Sequence, residues 1–183
     1  MASLAHYVLA RRARHAADSI AAVAYFLKID GIVGDSADAR HKGEIEVESF
    51  SFGVTQSASP GGGGSGGRAG KPSFEDLNVV TSFSRASPRL LEACATGRHL
   101  PSAVLTARRS GGKEQFEYMK LTLSDVLVSA YRSGAAGVEA LVPTDQFSLA
   151  YSKLQIEHKA QSPSGAAGDT TAAGFDVTAN QKL

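Results

Sequence analysis

Residues 57–72 read SASPGGGGSGGRAGKP, with Gly61, Gly62, Gly63, Gly64, Gly66, Gly67 and Gly70 crowded together and Lys71 directly after them. Backbone N–H groups of a glycine-rich loop can surround a phosphate, and a following lysine can neutralise it. That chemistry needs the spacing Gly-x-x-x-x-Gly-Lys-Ser/Thr. Counted back from Gly70-Lys71, the first glycine position holds Ser65, and the hydroxyl position after Lys71 holds Pro72. Phosphate and dinucleotide loops also open a helix, whereas this one leads into the β-like run FEDLNVV. The stretch therefore reads as a long flexible arm. An enzyme that binds a nucleotide or phosphate through this loop is the least favoured reading.

The other reactive residue types form no constellation. His6, His15, His41, His99 and His158 include no pair at i, i+3 or i, i+4, and none neighbours a cysteine, so no zinc site is expected. Cys94 is the single cysteine, which excludes an internal disulfide, and it falls on an apolar helical stripe as a small core residue. No Gly-x-Ser-x-Gly elbow follows a strand and opens a helix. Arg108-Arg109 with Lys113, and Arg85 with Arg89, read as solvated strand and helix ends. The aromatics near enough to interleave with them, Phe116 and Tyr118, fall at core positions of a strand. A formal net charge of +1 likewise points away from nucleic acid. The residue types predict no catalytic, cofactor-binding or metal-binding residues.

The elements that position these residues are mostly strands. A chain of 183 residues, 43% of them apolar, suits one domain with tails. No apolar run approaches the roughly 20 residues of a membrane span, and Arg11, Arg12 and Arg14 follow the N-terminal apolar stretch rather than precede it, unlike a secretory signal. Residues 1–20 form a separate, partly helical or disordered extension, and 21–183 form the domain. Ala24–Ile29 is a strand ended by the turn Asp30-Gly31. In Glu44–Gln56, Ile45 and Val47 alternate with glutamates, then Phe50, Phe52 and Val54 take over on the other parity. That slip predicts a β-bulge or a strand crossing between two packed surfaces.

Phe74–Ser82 reads as another strand. Ser87 is expected to cap a helix over Pro88–Thr96 whose stripe is Leu90, Leu91 and Cys94 and whose stop is Gly97. Ser102–Arg109 and Gln115–Tyr131 form a hairpin around Ser110–Lys113, with a break near Ser124-Asp125. Phe147, Leu149 and Tyr151 yield to Leu154 and Ile156 in a second parity slip, and a tail, Gln161–Gly174, leads to a last strand, Phe175–Thr178. Such a chain must manage its sheet edges, usually by closing into a barrel or pairing with another chain. The predicted fold is mainly β: an antiparallel β-barrel with one short α-helix and a long extended glycine-rich loop over 57–72.

The order of YFLKIDGIVGDS, HKGEIEVESFSFGVTQS, the glycine loop, AGKPSFEDLNVV, SPRLLEACATGRHLPSAVLTARRSGG and EYMKLTLSDVLVSAYRSG resembles the haemolysin-coregulated protein (Hcp) family, from about Ala24 to Lys182. Members of this family form the inner tube of the bacterial type VI secretion system. The resemblance implies a barrel of the phage tail-tube kind that assembles into hexameric rings. These rings stack into a tube, are propelled by a contractile sheath, and receive small effector proteins in the lumen. It implies as partners further copies of the chain, the sheath, spike and baseplate proteins, and effectors, with no cofactor, nucleic acid or membrane insertion. It implies assembly in the bacterial cytoplasm and export to the extracellular space or a target cell without a cleaved signal peptide. The tail-tube protein of a prophage or another contractile machine is the alternative.

Two site expectations follow. Ser51 alternates with Phe50 and Phe52 and matches a family segment in which aromatics flank a small residue on the pore wall, so it is expected to face the lumen. The arm residues Pro60, Gly61, Gly62, Gly63, Gly64, Arg68 and Lys71 are expected to pack on a neighbouring subunit in the same ring or the stacked one. Residues 1–20 have no usual counterpart in the family.

Overall fold

The computed structural model describes residues 22–58, 69–111, 114–135, 142–161 and 167–183. In chain order the elements are β1 (Ala22–Ile29), β2 (Ile45–Val47), β3 (Ser49–Ser51), β4 (Val54–Ala58), β5 (Ala69–Phe74), β6 (Leu77–Ser82), α1 (Ser87–Thr96), β7 (His99–Gly111), β8 (Glu114–Gly134), β9 (Thr144–Gln161), β10 (Ala167–Asp176) and β11 (Gln181–Lys182). The described residues are thus mainly β with one helix, as the alternating pattern predicts. One sheet runs β11-β10-β9-β8-β7-β1-β2, every pair antiparallel. The first part of β9 also pairs with β6, which pairs with β3, while β4 and β5 form a separate ribbon.

The pairing does not close into a complete ring of ladders. A seam lies between β2 and β6. It is spanned by the Glu48 N–H donating to the Val80 carbonyl at 2.9 Å and the Thr81 hydroxyl donating to the Glu46 carbonyl at 2.6 Å.

The first parity slip is a change of partner. Ile45 and Val47 are buried where β2 pairs with β1. One residue later the chain pairs with β6, and Phe50 packs on the same core from the other parity. So the strand crosses between two surfaces, one of the two outcomes the pattern predicts. Val54 departs from expectation: it is 58% exposed, because β4 has already left the sheet for the ribbon.

The second slip is shared by three neighbouring strands. Burial changes parity between Leu100 and Ala103 in β7, between Leu123 and Val126 in β8, and between Leu149 and Leu154 in β9, at one level of the register. At its centre Asp125 adopts φ 52°, a left-handed conformation that Asp tolerates better than most residues. Its carboxylate lies 2.8 Å from His99 Nδ1 and accepts the Ser152 hydroxyl at 2.6 Å, tying the three strands together. β8 therefore continues through Asp125 instead of breaking there.

The core is built on Leu27, Ile45, Leu77, Leu90, Leu105, Leu121, Leu123 and Leu149, all fully buried. Each contributes on the order of 1.5–3 kcal/mol relative to exposure. Leu90 and Ala93 of α1 face this core, whereas Leu91 is 55% exposed and Cys94 packs at its edge. Ser87 is not the helix cap. Ala86 holds the cap position without a side-chain bond, and the buried Ser87 hydroxyl donates to Asp145 while accepting the Ser84 N–H at 2.9 Å. Gly97 does end the helix, at φ 63°.

Three further expectations need correction. Phe74–Ser82 is two strands in two sheets, divided at Glu75-Asp76. The C-terminal strand begins earlier, and β10 and β11 make a hairpin. Arg108 is buried rather than solvated: its guanidinium donates to both Asp38 oxygens at 2.9 and 2.7 Å and lies 4.8 Å over the Phe26 ring.

Candidate functional site

Four strand segments carry the face that contains Ser51. Because side chains alternate across a strand, β3, β6, β9 and β8 place Phe50, Val79, Phe147 and Tyr131 toward the core and the intervening residues toward solvent. The register aligns the outward residues into two rows. One runs Ser51, Asn78, Ser148, Ala130, and the other Ser49, Val80, Gln146, Arg132. A shallow groove of about 380 Å³ lies along them. The Ser148 hydroxyl donates to the Asn78 amide oxygen at 2.7 Å, and Ser129 donates to Asp76 at 2.5 Å.

Chemically this face is small and neutral except for Arg132. It holds no carboxylate, histidine or thiol within these rows, so it offers hydroxyl and amide hydrogen bonding and no acid–base pair.

The arm rises from the end of β3 that carries Ser51. β4 and β5 pair through Val54 with Phe74, Thr55 with Ser73 and Gln56 with Pro72. The expected loop is therefore shorter than 57–72, because its ends are strands. Lys71 lies exposed on β5, inside a paired ribbon. A phosphate-binding lysine follows a strand and opens a helix; this one does neither. Pro60, Gly61, Gly62, Gly63, Gly64 and Arg68 lie outside the described residues, as does the 1–20 extension.

The ribbon's root is held by several contacts. The Glu75 N–H donates to the Gly53 carbonyl at 2.9 Å, the Tyr151 hydroxyl donates to the Glu75 carbonyl at 2.9 Å, and Phe74 stacks on Phe175 with ring centroids 5.3 Å apart. A Cβ at Gly53 would lie 2.8 Å from the Glu75 carboxylate, the mobile end of an exposed side chain. Burial, then the charges of Asp76 and Glu75, push the Tyr151 hydroxyl up to about 12.

Two polar clusters escaped the sequence reading, because each is completed by residues distant in the chain. One is Asp38, His41, Glu44 and Arg108 around Phe26, where the His41 ring stacks on Phe26 at 4.2 Å and its Nδ1 lies 2.9 Å from Glu44. The other is His99, Asp125 and Ser152. Although it contains the residue types of a hydrolytic triad, the aspartate stands in the middle. Ser152 donates to Asp125 and not to His99, so the imidazole has no path to the hydroxyl proton.

Known proteins place this architecture. The family described as type VI secretion system effector, Hcp, matches residues 26–158. The protein hcp1 of Pseudomonas aeruginosa is 38% identical over 145 residues, which cover 79% of this chain and 88% of that one. The crystal structure of Hcp1 from Salmonella typhimurium superposes with a TM-score of 0.74 at 34% identity, covering 88% of this chain and 99% of that one. A further structure, of a type six secretion system protein, superposes with a TM-score of 0.83 at 27% identity, covering 88% and 100%. These matches favour a type VI tube over a prophage tail tube. The chain belongs to the Hcp family, the tube proteins of the type VI secretion system.

Proposed function

We propose that this chain assembles into homohexameric rings that stack into the type VI inner tube, with the β3-β6-β9-β8 face lining the lumen. The observation that carries the reading is the pair of outward rows around Ser51, in which Arg132 is the one charged residue. A pore wall that receives cargo and lets it go needs small side chains, few charges and no deep pocket. This face has those properties, while its other side packs on the core. Small effector proteins contact Ser51 and its neighbours. The chain has no catalytic role of its own; it acts with the sheath, spike and baseplate proteins and is expelled from the cell with its cargo. No helix among the described residues is long and apolar enough to cross a membrane.

A ring requires two different surfaces that meet head to tail. The arm, with Lys71 on its described part, packs on a neighbouring copy and adds contacts that multiply around the ring.

Electron microscopy of the purified chain tests the assembly: six-fold rings with an open pore are expected, and persistent monomers at high concentration would count against it. Ser51→Gln tests the lumen. Rings should form as before, while co-purification of cargo should fall. Loss of rings, or unchanged cargo binding, would remove Ser51 from the pore wall.

A further inference from the structure

Arg132 is the one charged side chain in the rows assigned to the lumen. It stands exposed at the end of the row Ser49, Val80, Gln146, Arg132, on the border of the groove of about 380 Å³. None of the residues lining that groove is acidic. Among the described residues no carboxylate pairs with the Arg132 guanidinium, whereas Arg85, Arg89 and Arg108 are each held by one. Two carboxylates flank the rows, and both have partners of their own. Glu48 accepts the Ser82 hydroxyl at 2.7 Å, and Asp76 accepts that of Ser129. Glu48 also precedes β3, which lies three strand spacings from β8, about 14 Å across the sheet.

In a closed ring, symmetry brings one Arg132 per subunit to the same height. A belt of like charges around one axis repels itself. Nothing in the two rows offsets that cost, because the remaining residues there are neutral. An occupant of opposite charge in the lumen does offset it.

The neighbours of Arg132 narrow the chemistry of that occupant. Gln146 sits directly across the ladder, and Ser49 lies two strands beyond it. A guanidinium presents a planar fork of donors that matches a carboxylate in two parallel bonds, and an amide N–H and a hydroxyl supply single donors beside it. The groove is shallow and open, which suits a side chain carried on a protein surface better than an enclosed small molecule.

We propose that Arg132 selects the cargo of the tube: small proteins with Asp- and Glu-rich surfaces are held in the lumen by a belt of guanidinium groups, one from each subunit. This rests on the tube reading above and names the cargo class for that face.

The test uses rings of the full-length chain and rhodamine-labelled decaglutamate, with decalysine and a decathymidylate strand as counter-probes. Fluorescence anisotropy should show that rings bind decaglutamate and not decalysine, with binding that weakens as salt rises from about 50 to 300 mM. Arg132→Gln should leave rings intact by electron microscopy and weaken decaglutamate binding by about tenfold or more, because the lost contact recurs in every subunit. Arg98→Gln removes an equal charge from an exposed position beyond the end of α1 and should leave binding unchanged. Arg132→Gln rings that bind decaglutamate as before, rings lost on that substitution, an equal loss from Arg98→Gln, or tighter binding of decathymidylate than of decaglutamate would each overturn the arginine belt as cargo selector. If Ser51→Gln rings still lose cargo in those cases, the lumen reading stands without the belt. An unmodified chain that forms no rings would overturn the tube reading and the belt with it.

Discussion

Asp38 shows how much one carboxylate can organise. It accepts two bonds from Arg108 and the backbone N–H groups of Arg40 and His41, at 2.9 and 3.3 Å. These partners, Arg108 first, hold its pKa far below the usual carboxylate range. Asp35, Asp125 and Asp176 shift the same way, through the Arg85 N–H, the Ser152 hydroxyl and the Ala179 N–H respectively. In the unfolded chain each returns to about 3.9. A group whose folded pKa is depressed stabilises the fold above its unfolded value, and that contribution is lost as pH falls through the folded one. Tm should therefore stay nearly flat from pH 7 to about 5 and fall below about pH 4. Asp38→Asn should lower Tm at neutral pH and make the acid limb shallower. A thermal scan across pH checks this, and an acid limb unchanged by the substitution would contradict it.

At the scale of elements, α1 and the arm root make the sharpest comparisons. Leu90 and Leu91 look equivalent on a helical stripe, yet one is fully buried and the other mostly exposed. Leu90→Ala should cost about 2–5 kcal/mol, and Leu91→Ala should change stability by no more than about 0.5 kcal/mol. Chemical denaturation distinguishes them, and equal costs would mean that the helix is rotated. At the arm root, Tyr151→Phe removes the hydroxyl that holds the Glu75 carbonyl. A net hydrogen bond of about 1 kcal/mol predicts roughly fivefold faster amide exchange in β5, with β7 and β8 unchanged. Exchange that is unaltered in β5 would assign the root to the Phe74–Phe175 stack instead.

The whole molecule is a barrel-like sheet with a seam and an arm at one end of a strand pair. Family membership runs over residues 26–158, which leaves the 1–20 extension outside the shared part. Removing residues 1–20 should leave Tm within about 2 °C, since none of the described core lies there, and should leave ring formation intact. A large drop in either would make the extension part of the domain.

The succession of residues along the chain was enough for the β class, the turn at Gly31, the stop at Gly97 and both parity slips. All of these depend on alternation, spacing or turn chemistry between near neighbours, which act within a few residues. It was also enough for the family, because the ordered segments from Tyr25 to Gly134 keep their sequence and spacing. Folding decided the rest. Arg108 meets Asp38 across 70 residues, and Tyr151 meets Glu75 across 76. Neither residue type signals such a meeting, because which strands pair is set by the free energy of the entire sheet. The same cause divides Phe74–Ser82 between two sheets and turns Leu91 outward. A parity slip in β2–β3 can be read from the chain, but the partner that the strand crosses to exists only once β6 is in place.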